Sequence, residues 1–412
     1  MISNIKTIIE NIEEITKDDY IKFSILNQNY IRFDFSSKYY CIRNTTLETF
    51  DDVAYELWQD LPAKILENIY YGYFYDKFAD FIKYLFENNI KLTDKLLDEF
   101  KKSFQNIPTN SFKLITKLYG FCLKDANTCI KLGDFNICDY IYYVNNFKSE
   151  FQVVPEIEEF KVPEGQVENC FIIHNNIIAI DKIKAEYLFF EHIEQFINTM
   201  LYCIPNCTTL NENITYRCSK SDIKLISINN DTKEKYSSMK NKTLMNPLYE
   251  LSENLFEFNN QRTLFENLDK NDLSELEQRV KMSVNWFGLS LRNNNLIQRF
   301  TYLSIALETL LSAKKSGIMD QSITYRLREY AAFLYSDDKQ ERKEVYEKIS
   351  KLYTIRSEIS HSGKSKSIKY KDYIELLNIV HKVIYSVRIL IKNGLKNDTD
   401  LTNYINNIKG IG

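Results

Sequence analysis

The sequence predicts a mainly α protein with an α+β N-terminal region and a C-terminal antiparallel helical bundle. Three observations carry this. Only ten Gly and six Pro occur in 412 residues, too few for a fold built on many tight turns. Strand-like alternation is concentrated between Ser111 and Ile180. From Leu273 onward, apolar residues recur at three and four through five successive segments. Hydrophobic residues make up 44% and charged residues 26%, which excludes collagen-like and low-complexity classes, and the length suits two or three domains.

Residues 1–110 form a helix-rich lobe. Short strands are expected at Tyr30–Phe35 and Tyr39–Ile42, and a helix at Phe74–Phe86, where Phe74, Phe78, Phe81, Ile82, Leu85 and Phe86 share a face. Residues 111–270 form an α+β region of unknown function, a candidate for sensing or recruitment. Its β-branched and aromatic runs SFKLITKLYGF, FNICDYIYYV and ENCFIIHNNIIAI predict strands, with turns at Leu132-Gly133-Asp134 and His174-Asn175-Asn176. Lys184–Leu201 returns to helical spacing. Ile214–Cys218 and Ile223–Ile228 are short strand candidates, and the polar Asn229–Thr243 stretch predicts a loop. Residues 271–412 form the bundle, with helices at Leu273–Leu291, Leu296–Ser312, Ile318–Tyr335, Arg342–Ser360 and Tyr370–Leu395. The short polar connections are those of antiparallel neighbours.

No apolar run reaches the roughly 18–20 residues that cross a bilayer, and acids interrupt the first fifteen residues, so a cytoplasmic protein without membrane partners is expected. Eight Cys in a large chain of this kind predict reduced thiols. The net charge of −3 hides an asymmetry: residues 299–412 carry 20 Lys+Arg against 13 Asp+Glu, and the part before them carries a net −10. A polyanion would therefore meet the C-terminal part, unless the lysines are merely solvated.

Common phosphate-binding and hydrolase signatures are missing. No GxGxxG, GxSxG or HExxH occurs, and Glu358 stands where a Walker loop ending at Gly363-Lys364-Ser365 would need its first Gly. Cys203, Cys207 and Cys218 with His192 have spacings that can close a zinc site, but a second CxxC is missing and buried thiols are the plainer reading, so no metal and no cofactor is expected. His174, His192 and His381 lie in apolar settings that suit structural imidazoles.

Glu344–Gly363 reads EVYEKISKLYTIRSEISHSG. On a helix, Ile349, Leu352, Ile355 and Ile359 share an apolar face, while Tyr353, Ser357 and His361 form a polar stripe at four-residue spacing. Arg356 flanks both. It lies about 140° from His361 on a straight helix, and Ser360, Ser362 and Gly363 mark a helix end where His361 gains freedom.

Arg356-Ser-Glu-Ile-Ser-His361 resembles the RxxxxH motif of HEPN-domain ribonucleases. The wider stretch resembles their Apea-like branch through Val284-Asn-Trp-Phe287, Ile305-Ala-Leu-Glu-Thr-Leu-Leu311 and Leu352–Gly363, a match over about Leu276–Lys392. The resemblance implies metal-independent RNA cleavage, in which the ribose 2′-hydroxyl attacks the adjacent phosphate to leave a 2′,3′-cyclic phosphate. His361 would act as general acid or base and Arg356 as phosphate clamp. It also implies a homodimer through the bundle, with two RxxxxH helices on one cleft, and a bacterial toxin or antiphage role against tRNA or other RNA. Glu308, on an otherwise apolar helix, needs a partner: Arg356, whose guanidinium it would orient, or else Arg299 or Arg326. Ser357 and Tyr353 are supporting candidates. Lys364, Lys366, Lys369 and Lys371, with Tyr370 and nearby Tyr373, are candidates for RNA binding. The rival expectation is a catalytically silent HEPN module that dimerises or binds nucleotide or RNA, with function residing in the N-terminal region.

Overall fold

The computed structural model describes the chain except residues 16–30, 36–37, 43, 67–68, 119–120, 152–169, 205–224, 234, 239–248, 258–259, 271, 294, 313–322, 363–367 and 411–412. It is mainly α with β structure in its first two thirds. By internal contacts it divides into two compact units. One comprises residues 1–113, 176–188 and 227–234, and the other 114–175, 189–226 and 235–412. The sequence reading drew a boundary near residue 270; the contacts place residues on both sides of it in the second unit.

The first unit begins with α1 (Ile2–Glu10), an antiparallel sheet of β1 (Ile12–Ile15), β2 (Ile31–Phe35) and β3 (Lys38–Ile42), and helices α2 (Asn44–Gln59), α3 (Ala63–Leu66), α4 (Tyr71–Glu87) and α5 (Asp94–Ser103). Its core follows from helical spacing. Ile5 and Ile8 of α1, Phe50, Val53 and Leu57 of α2, and Phe74, Phe78, Ile82 and Leu85 of α4 are fully buried together. The Tyr75 hydroxyl donates to Asp51 at 2.7 Å and ties α4 to α2.

The middle of the chain adds β4 (Asn110–Leu118), β5 (Phe121–Leu123), β6 (Cys129–Leu132), β7 (Phe135–Cys138), α6 (Tyr140–Asn146), α7 (Lys148–Phe151), β8 (Cys170–Ala179), α8 (Lys182–Cys203), β9 (Leu225–Asn229), β10 (Lys235–Ser238) and β11 (Tyr249–Leu251). One six-stranded sheet has the order β10-β9-β4-β8-β7-β6, and β11 pairs in parallel with β5. The β6–β7 hairpin turns at Gly133-Asp134, where Gly133 takes a φ of +58 that most side chains avoid. In this hairpin Cys129 stands directly opposite Cys138, and no disulfide joins the described cysteines.

Three expectations are corrected here. His174-Asn175-Asn176 is no turn: β8 runs through it, His174 pairs with Phe135, and the Asn175 amide donates to the Asp134 carbonyl at 3.2 Å. The run after Cys138 is helix rather than strand, because the Asp139 carboxylate accepts from the Tyr142 amide at 2.8 Å and caps α6, overriding the β-propensity of its tyrosines. Part of the expected 229–243 loop is strand β10. The Ile214–Cys218 candidate lies outside the described residues.

Two short helices, α9 (Glu253–Glu257) and α10 (Arg262–Glu266), lead into the bundle: α11 (Glu275–Arg292), α12 (Leu296–Leu311), α13 (Ile323–Tyr335), α14 (Lys339–Ser362) and α15 (Tyr370–Lys392). All five were legible in the periodicity. A sixth, α16 (Asp398–Lys409), was not expected. Asn397 and Asp400 close its first turn as a capping box, Leu401 and Ile405 bury its inner face, and Gly410 ends it in the left-handed region. Asp398 joins it to the bundle through Arg279 at 2.8 Å and Arg326 at 2.5 Å. No described helix is long and apolar enough to cross a membrane.

In the second unit, α8 meets α11 at Gly288. A Cβ there would lie 2.3 Å from the Asn198 Cα, so only glycine allows the two backbones to approach. Asn198 also donates to Asn285 at 2.7 Å and accepts from Arg292 at 3.3 Å. Gly288→Ala is expected to lower stability by about 1–3 kcal/mol through overpacking, seen as a lower urea midpoint with an unchanged m-value.

Candidate functional site: the Glu308–Arg356 pair

The apolar face of α12 (Phe300, Leu303, Ala306, Leu307, Leu310) is buried in the bundle, as is that of α14 through Val345, Ile349, Leu352 and Ile355. These faces bring the two helices together and leave Glu308 and Arg356 at their shared edge. Arg356 Nε lies 2.9 Å from Glu308 Oε1, and its Nη2 donates to Oε2 at 3.1 Å. This is a side-on fork with two parallel contacts, the geometry that fixes a guanidinium plane. The Arg356 side chain keeps 34% of its exposure, so the fork is held from one side while part of it still faces solvent. The other candidate partners of Glu308 are engaged elsewhere. Arg299 stacks on Tyr373 at 4.2 Å and donates to its hydroxyl at 3.0 Å, and Arg326 holds Asp398.

Tyr353 departs from the expected polar stripe. It is buried, and its hydroxyl donates to the Ser304 carbonyl at 3.4 Å. Burial, and then the Glu308 charge, push its phenol well above the ordinary range. The phenol therefore lies close to the Glu308–Arg356 pair and does not face solvent. Ser357 is exposed one turn further on. His361 lies in the last turn of α14, which ends at Ser362; its side chain is outside the described residues.

Of the expected RNA-binding residues, Lys364 and Lys366 lie outside the described residues. Lys369 and Lys371 are exposed at the start of α15, and Lys371 is 3.9 Å from Glu375. Tyr370 is half-buried, its ring 5.9 Å from that of Tyr373. Tyr373 is fully buried under Arg299, which removes it as a platform for a base. Asp372 organises this end of α15: it accepts from the Lys369 amide at 3.0 Å and pairs with Lys351 at 3.0 Å. Burial pushes the Asp372 carboxyl up, but Lys351 and the Lys369 amide outweigh it, and the acid sits below its ordinary value.

The remaining histidines divide. His381 packs against Tyr202 at 4.8 Å and Phe287 at 5.7 Å, the structural role expected of it, and burial lowers its pKa. His174 and His192 instead meet each other and Asp269. His192 was grouped in the sequence with Cys203, Cys207 and Cys218. Cys203 is buried, and Cys207 and Cys218 lie outside the described residues. Asp269 went unnoticed because no spacing links it to either histidine. The available signal was the strand-to-helix return, which brings His174 of β8 and His192 of α8 side by side.

A cleft of about 650 Å³ is lined by Glu257, Asn260, Lys270, Tyr385, Arg388 and their neighbours, and neither Glu308 nor Arg356 lines it. Compared with known proteins, the chain matches no family profile, no curated protein and no solved structure.

Replacing Asp372 by Asn is expected to cost about 1–2 kcal/mol, since it removes a charged helix-start acceptor and an ion pair. A carboxyl lowered by folding stabilises above its unfolded pKa and loses that effect as pH falls through the folded value. The wild-type advantage over Asp372→Asn should thus be full at neutral pH and decline as pH falls below the ordinary carboxyl value of about 4, measured by urea unfolding at several pH values.

Proposed function

We propose that the bundle is an RNA-cleaving module of the HEPN RxxxxH type, acting as a homodimer on a single-stranded or loop segment of RNA. The observation that carries the reading is the two-point contact of Glu308 with Arg356. It orients a half-exposed guanidinium, five residues before His361 in the chain, that can face a phosphate. The basic surplus after residue 299 and the exposed Lys369 and Lys371 agree with a polyanionic substrate.

The chemistry follows from the residue types. Arg356 neutralises charge growing on the nonbridging phosphate oxygens. His361 takes the 2′-hydroxyl proton or supplies one to the leaving 5′-oxygen. The attack breaks the P–O5′ bond as the P–O2′ bond forms, leaving a 2′,3′-cyclic phosphate and a 5′-hydroxyl. On one α-helix, positions five apart diverge by about 140°, so a second copy is needed to bring an Arg and a His to the same phosphate from two helices. A role in toxin action or antiphage defence belongs to the same proposal.

The purified protein should cut total RNA in excess EDTA and leave cyclic phosphate ends. His361→Ala should slow cutting by about 10²–10⁴-fold and Arg356→Ala by about 10²–10³-fold. Glu308→Gln should lower kcat by about 10²-fold with little change in KM, because it misorients a group without removing it. Cutting that persists unchanged in the His361 variant would belong to a contaminant. A dimer that binds RNA without cutting it would support the silent module instead.

A further inference from the structure

Three side chains from three separate elements of the second unit converge away from the Glu308–Arg356 pair. His174 Nε2 and His192 Nδ1 are 3.3 Å apart, and Asp269 Oδ1 lies 3.1 Å from His192 Nδ1 and 3.6 Å from His174 Nε2. His174 is buried on β8 against the edge of the Phe135 ring, at 4.6 Å between centroids. His192 lies on α8 and Asp269 just beyond α10. Both Asp269 carboxylate oxygens are buried, and neither accepts a hydrogen bond of good geometry.

Hydrogen bonds alone satisfy this triangle poorly. Each imidazole nitrogen carries at most one proton, and an ionised carboxylate oxygen carries none. A single N–H directed at one corner leaves lone pairs facing each other along another edge. Two neutral imidazoles can each aim an N–H at Asp269, but both then converge on the one oxygen Oδ1 from nitrogens only 3.3 Å apart, one of them at the long distance of 3.6 Å. A cation at the centre resolves all three edges together. A circle through the donor atoms has a radius of about 1.9 Å, so an ion about 2.0–2.1 Å from each would stand about 0.7 Å off their plane, the offset of a tetrahedral centre with one position left over.

Contacts from three elements tie together the scaffold around the triangle. Arg262 of α10 donates to the Lys131 carbonyl at 2.6 Å and pairs with Glu253 and Glu257. A Cβ at Gly133 would lie 2.7 Å from the Phe265 carbonyl, so the β6–β7 turn presses directly on the end of α10 that leads to Asp269. The Asp269 oxygens are buried while the His192 side chain keeps 28% exposure, so an ion and a fourth ligand would enter on the His192 side.

We propose that His174 Nε2, His192 Nδ1 and Asp269 Oδ1 bind one zinc ion, with water or a small anion in the fourth position. Two neutral nitrogens and one oxygen suit a borderline cation of this class and disfavour magnesium and calcium, which take oxygen ligands. The rival account uses Lys281. It donates to the Leu268 carbonyl, and it interacts electrostatically with Asp269. On that account the cluster is a closed polar network that needs no ion.

The full chain, stripped with EDTA, dialysed and titrated with zinc sulfate in a calorimeter, should bind one ion per chain at this cluster. His192→Gln and Asp269→Asn, both at partly exposed positions and checked for folding by circular dichroism, should each weaken binding by more than about 100-fold, beyond the loss from an outer-shell change. Cobalt(II) in place of zinc should show the visible bands of a four-coordinate ion without a thiolate charge-transfer band. Absence of binding, affinity unchanged in both variants, or a thiolate band that moves the ion to the cysteines would each overturn the proposal. None of these outcomes bears on Glu308, Arg356 or His361, so the nuclease reading stands or falls separately.

Discussion

A helix packed against four others must be apolar round most of its circumference, and α15 meets that condition. Tyr373, Leu376, Leu377, Ile379, Val380, Val383, Ile384, Val387 and Leu390 are all buried, and α11, α12, α13 and α14 all pack on it. Each large side chain so buried contributes about 1.5–3 kcal/mol before entropy is charged against it. Because α12 and α14 both dock on this helix, their edges are held in register, and Glu308 reaches Arg356 as a result. The polar residues within α15 are handled locally: Asp372 by Lys351 and the Lys369 amide, His381 by stacking on aromatic rings.

The bundle was legible because its helices carry long runs at one period. Leu296–Leu311 and Tyr370–Lys392 were found within a few residues of their ends. The shorter pieces were harder, for identifiable reasons. In Asp139–Asn146 a single capping carboxylate decides for helix against a run of tyrosines that favours strand. At His174–Asn176 the pairing of β8 with β7 overrides residue types that favour a turn. The α16 helix has a polar composition and only two buried anchors, Leu401 and Ile405, so periodicity gave little signal while the cap residues gave more.

The candidate sites show the same division. That Glu308 needed a partner was visible from its apolar surroundings. Which arginine would answer depended on the packing of α12 on α14, a tertiary fact. Tyr353 looked polar in a helical projection, yet the projection could not show that the Ser304 carbonyl lies within its reach. The His174–His192–Asp269 triangle was the least legible, since Asp269 arrives from a segment remote in sequence and its placement depends on Arg262 and Gly133. The two sites differ in kind: one fixes a guanidinium with a carboxylate, the other gathers two imidazoles and a carboxylate round a point.

Cys129 and Cys138 face each other across the hairpin at the edge of the six-stranded sheet. Burial raises both thiols, Cys129 to about 11 and Cys138 further, so little thiolate exists while the strands stay paired. Alkylating reagents attack the thiolate, and fraying of this edge would restore ordinary acidity. The rate at which the pair is modified thus serves as a native stopwatch for transient opening of one sheet margin.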